Sequence, residues 1–260
     1  MKCYFVDAFA EKVFEGNPAA VCILENWPSD SCMQSIAKEN NLSETAFAVK
    51  EGDKYHLRWF TPGGEIDLCG HATLATAFVL SNFYEKEENK FVFQTLSGDL
   101  TVVKKGDLYE MDFPSRMPAK LDITNEMVSA LGVRPVEAFL GRDLMFILEE
   151  ENDVLYAKPN FSALKELKDG LGVILTAKSQ EFDFVSRAFF PKLNVNEDPV
   201  CGSAHCQLIP YWSEQFSKQE MVARQLSERG GTLFCKLDDE RERVHISGYA
   251  ALYSIAELQL

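Results

Sequence analysis

The chain has 260 residues and a formal net charge of −14, because 40 Asp and Glu residues outnumber 26 Lys and Arg residues. A surface this acidic repels phosphate backbones, so nucleic acid is not an expected partner. The longest apolar stretch, residues 72–80, is far shorter than a membrane span, and no membrane association is predicted. Seven scattered cysteines and a strand-like start at Met1 indicate reduced thiols and a cytoplasmic protein.

Short strands and two helices are predicted for the first half of the chain. The predicted strands are 4–9, 20–24, 45–50, 55–60, 91–95, 100–104 and 108–113. The predicted helices are 30–39, with Ser29 or Asp30 as N-cap, and 69–80. Residues 72–80 are apolar or small on every side, so other elements must surround this helix.

The second half shows a similar pattern. The predicted strands are 139–141, 145–148, 154–157, 172–176, 184–190, 232–237 and 244–249. The predicted helices are 125–131, 161–167 and 201–216. Because strands and helices do not alternate regularly, the pattern indicates an α+β fold rather than a doubly wound sheet.

A weak internal repeat relates the two halves. Residues 58–62 read Arg-Trp-Phe-Thr-Pro, and residues 187–191 read Arg-Ala-Phe-Phe-Pro. Each segment is followed by an acidic loop and then by Cys-Gly-x-Ala, which begins at Cys69 and at Cys201. Such matches in register favour a duplication. We expect two barrel-like halves, each curled round its own helix, with a cleft where the helix N-termini meet.

The start of each central helix has the features of an anion site. Backbone N–H groups are unpaired there, and Gly70 and Gly202 let a ligand approach the backbone closely. Two such sites predict a substrate that carries a carboxylate. Cys69 and Cys201 stand at the same helix starts, where the helix dipole lowers the pKa of a thiol. They are either an acid/base pair of thiols or two small buried residues.

Three other side chains near these loops have acid/base chemistry. His71 is either a packed histidine or a proton shuttle at the anion site. Asp198, before Pro199, is either a supporting group or an ordinary turn aspartate. Glu44 is either a solvated loop charge or, if it faces the cleft, an acid/base group. The residues alone do not choose between these readings.

Metal and nucleotide cofactors have little support in the sequence. Cys201, His205 and Cys206, together with Cys69 and His71, have the chemistry of zinc ligands. No Cys-x-x-Cys pair is present and these residues fall in apolar helices, so no metal site is predicted. Neither a P-loop nor a Gly-x-Gly-x-x-Gly motif occurs.

Six segments carry a family resemblance. They are Val-Asp-Ala-Phe at 6–9, Gly-Asn-Pro-Ala-Ala-Val at 16–21, Asn-Leu-Ser-Glu-Thr-Ala-Phe at 41–47, Arg-Trp-Phe-Thr-Pro at 58–62, Glu-Ile-Asp-Leu-Cys-Gly-His-Ala-Thr at 65–73 and Glu-Asp-Pro-Val-Cys-Gly-Ser-Ala-His at 197–205. Together they cover nearly the whole chain and resemble the phenazine-biosynthesis PhzF-like family, within the diaminopimelate-epimerase-like fold.

The resemblance implies an architecture and an assembly. It implies two pseudo-equivalent antiparallel β-barrel-like halves, each wrapped round a central helix. The first half-domain is 1–115 with a returning strand at about 247–260, and the second is 116–246, with the active-site cleft between them. A homodimer without metal or organic cofactor is also implied.

The resemblance further implies an isomerase that shifts a double bond of a small carboxylated substrate by acid/base proton transfer. Glu44 is then the acid/base carboxylate, and His71 and Asp198 are its supporting shuttle residues. The substrate-binding residues implied are Asn17, Ser43, Gly70, Gly202 and Ser203.

Cys201 departs from the pattern, because the phenazine enzymes tend to have a non-thiol residue there. Epimerases of the same fold have cysteines at both helix starts, as Cys69 and Cys201 are placed here, but they lack Cys-Gly-His-Ala. A two-cysteine racemase or epimerase of an amino or hydroxy acid is therefore an alternative. A non-catalytic small-ligand binding protein is another, although the presence of Glu44, His71 and Asp198 favours an enzyme.

Overall fold

All 260 residues are described by the computed structural model. The chain divides into two units: unit 1 contains Met1–Asp112 and Ser247–Leu260, and unit 2 contains Phe113–Ile246. None of its helices combines the length and the apolar composition needed to cross a membrane.

Strands outnumber helices, as expected for the α+β class. The strands are β1 (Lys2–Ala8), β2 (Asn17–Leu24), β3 (Glu44–Glu51), β4 (Lys54–Thr61), β5 (Gly64–Ile66), β6 (Lys90–Thr95), β7 (Gly98–Lys105), β8 (Leu108–Pro114), β9 (Ala119–Leu121), β10 (Glu137–Leu140), β11 (Leu144–Ile147), β12 (Val173–Lys178), β13 (Phe184–Phe190), β14 (Val195–Asp198), β15 (Glu220–Gln225), β16 (Gly231–Asp238), β17 (Arg243–Gly248) and β18 (Ala250–Glu257). The helices are α1 (Asp30–Asn40), α2 (Gly70–Val79), α3 (Asn125–Leu131), α4 (Glu151–Leu155), α5 (Phe161–Glu166) and α6 (Gly202–Phe216).

The sheet of unit 1 curls round α2. Its strands pair in the order β18-β1-β2-β3-β4-β6-β7-β8, and β5 forms a hairpin with the end of β4. Most pairs are antiparallel, while β2–β3 and β4–β6 are parallel. Helix α2 packs against β1, β2 and β3 and also against β7 and β18. Because strands from both ends of the order touch the helix, the sheet encloses it.

Helix α2 is suited to this buried position. Eight of its residues are buried, and many of them are small, such as Ala72, Ala75 and Ala77. Its two threonines satisfy their own hydroxyl groups: Thr73 donates to the carbonyl of Cys69 and Thr76 to that of Ala72. The prediction that residues 72–80 form a surrounded helix is confirmed.

Unit 2 repeats the strand pairings of unit 1. The pairs β10–β11, β12–β13, β13–β14 and β15–β16 are antiparallel, and β11–β12 and β13–β15 are parallel. This matches the run of pairings from β1 to β7. Helix α6 takes the place of α2, and residues 204–213 are all buried. The predicted pair of equivalent halves is confirmed.

Additional helices cover each unit. In unit 1, α1 buries Met33, Ile36 and Ala37 in a cluster with Phe47 and Phe60. Ser29 is the N-cap of α1, as predicted, and its hydroxyl accepts a hydrogen bond from the N–H of Cys32. This layer shields the sheet face opposite to the one that packs on α2.

In unit 2, three short helices form the corresponding layer. Met127 of α3, Val154 of α4 and Leu164 of α5 pack in one cluster with Phe146 of β11 and Leu175 of β12. These helices therefore bury the face of the sheet that does not contact α6.

The structure corrects the predicted strand at 154–157, which lies in the end of α4 and the turn after it. The carboxylate of Asp153 accepts a hydrogen bond from the N–H of Glu150 at the helix start. This local cap outweighs the short apolar run, which fits a strand or a helix equally well. Four strands were not predicted: β5, β9, β14 and β15. In β15 every second residue is buried, but one of these buried residues is the polar Gln225, so the sequence does not show the alternation of apolar and polar residues that marks a strand.

Candidate active site

Unit 1 brings together three predicted site residues. Glu44 begins β3, Cys69 is the N-cap of α2, and His71 lies in the first turn of α2. The Nε2 atom of His71 lies 3.0 Å from Oε2 of Glu44, and the Sγ atom of Cys69 lies 3.6 Å from Nδ1 of His71. The side chains of His71 and Glu44 are only 9% and 14% exposed. A carboxylate, an imidazole and a thiol therefore share one shielded place.

The turn between α1 and β3 fixes the position of Glu44. Asn41 ends α1 in the left-handed conformation, with φ of 50°, which asparagine tolerates better than most residues. The Nδ2 atom of Asn40 donates to Oγ1 of Thr45 at 3.1 Å. The start of β3 is thereby tied to the end of the helix.

The loop that leads into α2 is held by an ion pair. Nε and Nη2 of Arg58, on β4, donate to the two carboxylate oxygens of Glu65 at 2.6 and 2.7 Å. The guanidinium also lies 5.1 Å from the ring centroid of Phe60. This forked contact fixes the β4–β5 hairpin, four residues before Cys69.

The electrostatics of the cluster differ from the sequence-based expectation. Burial, reinforced by the charge of Glu44, raises the pKa of the Cys69 thiol. The helix dipole was expected to lower the pKa of this thiol, but burial outweighs the dipole, and the thiol keeps its proton at neutral pH. Burial works against protonation of His71, but the interactions with Cys69 and Glu44 outweigh it and raise the pKa of His71 well above the ordinary value. A proton is therefore held on His71 against Glu44.

Unit 2 places Asp198, Cys201 and Ser203 round the start of α6. Oδ1 of Asp198 accepts a hydrogen bond from the N–H of Val200 at 3.1 Å. Cys201 is the N-cap of α6, and its Sγ atom lies 3.2 Å from Oγ of Ser203. Burial, followed by the charge of Asp198, raises the pKa of the Cys201 thiol well above its ordinary value. Both helix-start thiols are thus protonated at neutral pH, contrary to the dipole argument.

Sequence reasoning did not find Gln225, a fully buried residue that braces this loop. Its Oε1 accepts from the N–H of Cys201 at 2.9 Å, and its Nε2 donates to the carbonyl of Asp198 at 2.6 Å. Gln225 ends β15, far along the chain from the loop, and no motif surrounds it. The only available signal would have been recognition of β15.

The predicted substrate-binding residues lie in different surroundings. Gly70 and Gly202 are the first residues of α2 and α6. A Cβ atom placed on Gly202 would meet no heavy atom within 4 Å, so the space beside this backbone is open. Ser203 is half-buried and Ser43 is exposed, next to Glu44.

Asn17, at the start of β2, is buried. The residue before it, Gly16, has φ of +67°, and a Cβ atom there would lie 2.1 Å from the carbonyl oxygen of Ala8. Only glycine fits this turn, which sets the entry of Asn17 into the strand.

Unit 2 has no counterpart of Glu44. Thr45 pairs with Phe60 in unit 1, and Val173 pairs with the equivalent Phe189 in unit 2. The residue before Val173, and hence the equivalent of Glu44, is Gly172. A Cβ atom on Gly172 would lie 2.3 Å from the ring of Phe190, so the site has no room for a side chain.

Two units, each with a sheet curled round a central helix, make up the diaminopimelate-epimerase-like fold. A probable proline racemase from Agrobacterium radiobacter shares this fold, with a TM-score of 0.68 and 10% identity over 100% of this chain and 93% of that one.

More specific matches follow from closer relatives. The family described as phenazine biosynthesis-like protein, PhzC-PhzF, matches residues 6–255. An uncharacterized isomerase of Pseudomonas aeruginosa is 46% identical over 98% of this chain and 97% of its own length. A crystal structure of a PhzF family protein from Enterococcus faecalis has a TM-score of 0.98 and 55% identity, covering 100% of this chain and 99% of that chain. The chain belongs to the phenazine biosynthesis-like family, as the sequence motifs predicted.

Proposed function

We propose that this protein is a cofactor-independent isomerase that moves a proton on a small carboxylated substrate and thereby shifts a double bond. Glu44 is the acid/base group and His71 its partner. The observation that carries this proposal is the 3.0 Å separation of His71 Nε2 and Glu44 Oε2 within a largely buried cluster. The relative from Pseudomonas aeruginosa, named an isomerase, agrees with it.

One carboxylate suffices for this reaction. The Glu44 carboxylate removes a proton from a carbon activated by the neighbouring unsaturation, and the resulting carboxylic acid returns a proton to a carbon farther along. The protonated His71 beside it balances the charge of the carboxylate between turnovers. Inversion of a stereocentre, by contrast, requires two groups on opposite faces of the carbon.

The carboxylate of the substrate is assigned to the backbone N–H groups at the start of α2, where Gly70 lies between Cys69 and His71. Gly202 and Ser203 are kept as substrate-binding residues on the basis of the family motif. Asp198 is retained as a supporting residue on the basis of the family motif.

The test is proton exchange from deuterated water. The wild-type protein is incubated with a panel of small unsaturated, amino and hydroxy carboxylic acids, and deuterium incorporation is followed by mass spectrometry. Glu44→Gln is expected to reduce exchange by at least about 100-fold, whereas Cys201→Ser retains most of it. Circular dichroism checks that both variants are folded. Full exchange in Glu44→Gln with loss in Cys201→Ser would overturn the proposal.

A two-cysteine racemase or epimerase is the second candidate. It is favoured by one observation: Cys69 and Cys201 are the N-caps of the two equivalent central helices. It is disfavoured by the raised pKa of both thiols, since one of them must act as a thiolate. Loss of optical rotation from a single enantiomer of an amino or hydroxy acid, abolished by either Cys→Ser change, would support it.

A further inference from the structure

We infer that Glu44, Cys69 and His71 form a zinc-binding site, at which zinc acts as an inhibitor rather than as a resident cofactor. The inhibition rests on the proposed function, because the same carboxylate and imidazole would move the proton. The metal binding itself rests only on the geometry of unit 1.

The three side chains supply a ligand set that zinc prefers. A sulfur, an imidazole nitrogen and a carboxylate oxygen all lie within 4.8 Å of one another. Zinc takes such mixed ligands, and three protein ligands with one open position are its usual arrangement at accessible sites. Magnesium and calcium select oxygen ligands instead, so the thiol directs the selectivity toward zinc.

The observed separations are close to those of a zinc site. With tetrahedral angles and ordinary bond lengths, the nitrogen and oxygen ligands are about 3.4 Å apart and the nitrogen and sulfur ligands about 3.6 Å apart. In the cluster, His71 Nε2 lies 3.0 Å from Glu44 Oε2 and 4.0 Å from Cys69 Sγ. Small rotations of the side chains would accommodate the ion, and the thiol and the protonated imidazole would each give a proton to the solvent.

The cluster lies close to the surface of unit 1. Glu44 retains 14% of its side-chain exposure, and Gly70 is only partly buried beside Cys69. Leu68, the next residue before the thiol, is 47% exposed. Oε2 of Glu44 is itself buried, so an ion enters only when the side chains that cover the cluster move.

A bound ion would stop the proposed proton transfer. It would occupy the carboxylate oxygen and the imidazole nitrogen that otherwise hold and exchange the proton. Zinc and a transferable proton therefore compete for the same atoms of Glu44 and His71.

Unit 2 offers a matched control. Its helix-start thiol, Cys201, has Ser203 two residues later in place of an imidazole. Gly172 occupies the position equivalent to Glu44 and has no side chain. Cys201→Ser therefore removes an equivalent thiol without removing any ligand of the inferred site.

Cobalt(II), a spectroscopic substitute for zinc, tests the site directly. Titration of the metal-free wild-type protein is expected to give one equivalent of bound cobalt with a sulfur-to-cobalt charge-transfer band, which zinc then abolishes by displacement. Cys69→Ser should lose the band and weaken zinc binding by at least about tenfold, and His71→Gln should weaken binding similarly. Cys201→Ser should bind like the wild type. Thermal unfolding of each variant checks that the fold is retained.

Either of two spectroscopic results would overturn the inference: a wild-type protein without the charge-transfer band, or a band lost in Cys201→Ser and kept in Cys69→Ser. If the metal-free protein exchanges protons, one equivalent of zinc should stop exchange and a chelator should restore it; undiminished exchange at saturation would also overturn the inference. If the metal-free protein exchanges no protons, the proposed function fails, while the cobalt spectrum still decides the metal site.

Discussion

The two units use the same device to hold the start of their central helix. In each, an arginine on the first strand of a hairpin, β4–β5 or β13–β14, forms a forked ion pair with the glutamate four residues before the helix-start cysteine. The pairs are Arg58 with Glu65 and Arg187 with Glu197. Each guanidinium lies over the phenylalanine two residues later, with separations of 5.1 and 5.0 Å. The part of the duplication that fixes the loop has been retained in both copies.

The units differ where chemistry is expected. Unit 1 has His71 and Glu44, whereas unit 2 has Ser203 and Gly172 at the equivalent places. The repeated scaffold thus positions two helix starts in the same way, but only unit 1 provides a carboxylate–imidazole pair. The residues that the two halves share hold the helix starts in position, and the residues that differ between them include the proposed reacting groups.

Substitution of the two arginines is expected to have the largest effect on stability, and the effects should be unequal. Arg187 also donates to the backbone carbonyls of Val154, Leu155 and Ala157. The hydrogen bonds of Arg58 go to carboxylates instead. Arg187→Gln should lower the free energy of unfolding by about 3–5 kcal/mol, because a largely buried Glu197 and three carbonyls lose their donor.

Arg58→Gln should cost only about 1–2 kcal/mol, since one of its partners, Asp30, is mostly exposed. Urea denaturation of both variants measures the difference. The lysine variants serve as controls that keep the charge and lose the fork. Equal losses in Arg58→Gln and Arg187→Gln would show that the extra contacts of Arg187 contribute nothing.

The two buried histidines should give stability opposite dependences on pH. Burial lowers the pKa of His205, in unit 2, to about 4. The unfolded chain then binds the extra proton between about pH 6.5 and 4, so the free energy of unfolding falls by up to about 3 kcal/mol on acidification. The pKa of His71 is raised instead, so its stabilisation is complete below about pH 6.5 and is lost as the pH rises through the folded value.

Exchange of residues between the units separates these two effects. Thr73 is the unit 1 equivalent of His205, since both lie four residues after the cysteine and both donate to its carbonyl. His205→Thr should flatten the acid side of the stability profile, and His71→Ser should flatten the alkaline side. Denaturation midpoints across the pH range provide the measurement; an unchanged slope in both variants would contradict the assignments.

Thiol reactivity is the smallest expected difference between the units. Cys69 and Cys201 are buried with raised pKa values, so both should react slowly with iodoacetamide at pH 7. Cys32, which is more exposed, should react first. Peptide mapping by mass spectrometry after timed alkylation gives the order, with urea-unfolded protein as the control. Fast alkylation at either helix start would favour the two-cysteine candidate.

The two central helices could be predicted from the sequence because local patterns of residues specify them. The all-apolar stretch that ends at Leu80 admits no exposed face, and the repeated cysteine motif identifies both helix starts. The distance between Glu44 and His71 does not follow, because it depends on how β3 pairs with β2 and packs on α2. The raised pKa of Cys69 was missed because burial is a tertiary property that overrides the local helix dipole. The homodimer stays a prediction.

The pairing of β1 with β18 has a consequence for synthesis of the chain. Lys2 lies opposite Glu257, so the first strand must wait for a partner made 255 residues later. At a ribosomal rate of 5–20 residues per second this delay is roughly 13–50 seconds. Most strands of unit 2 leave the ribosome within that interval and have their partners within one continuous segment. On the ribosome, the second copy of the repeat is therefore the first that is able to close.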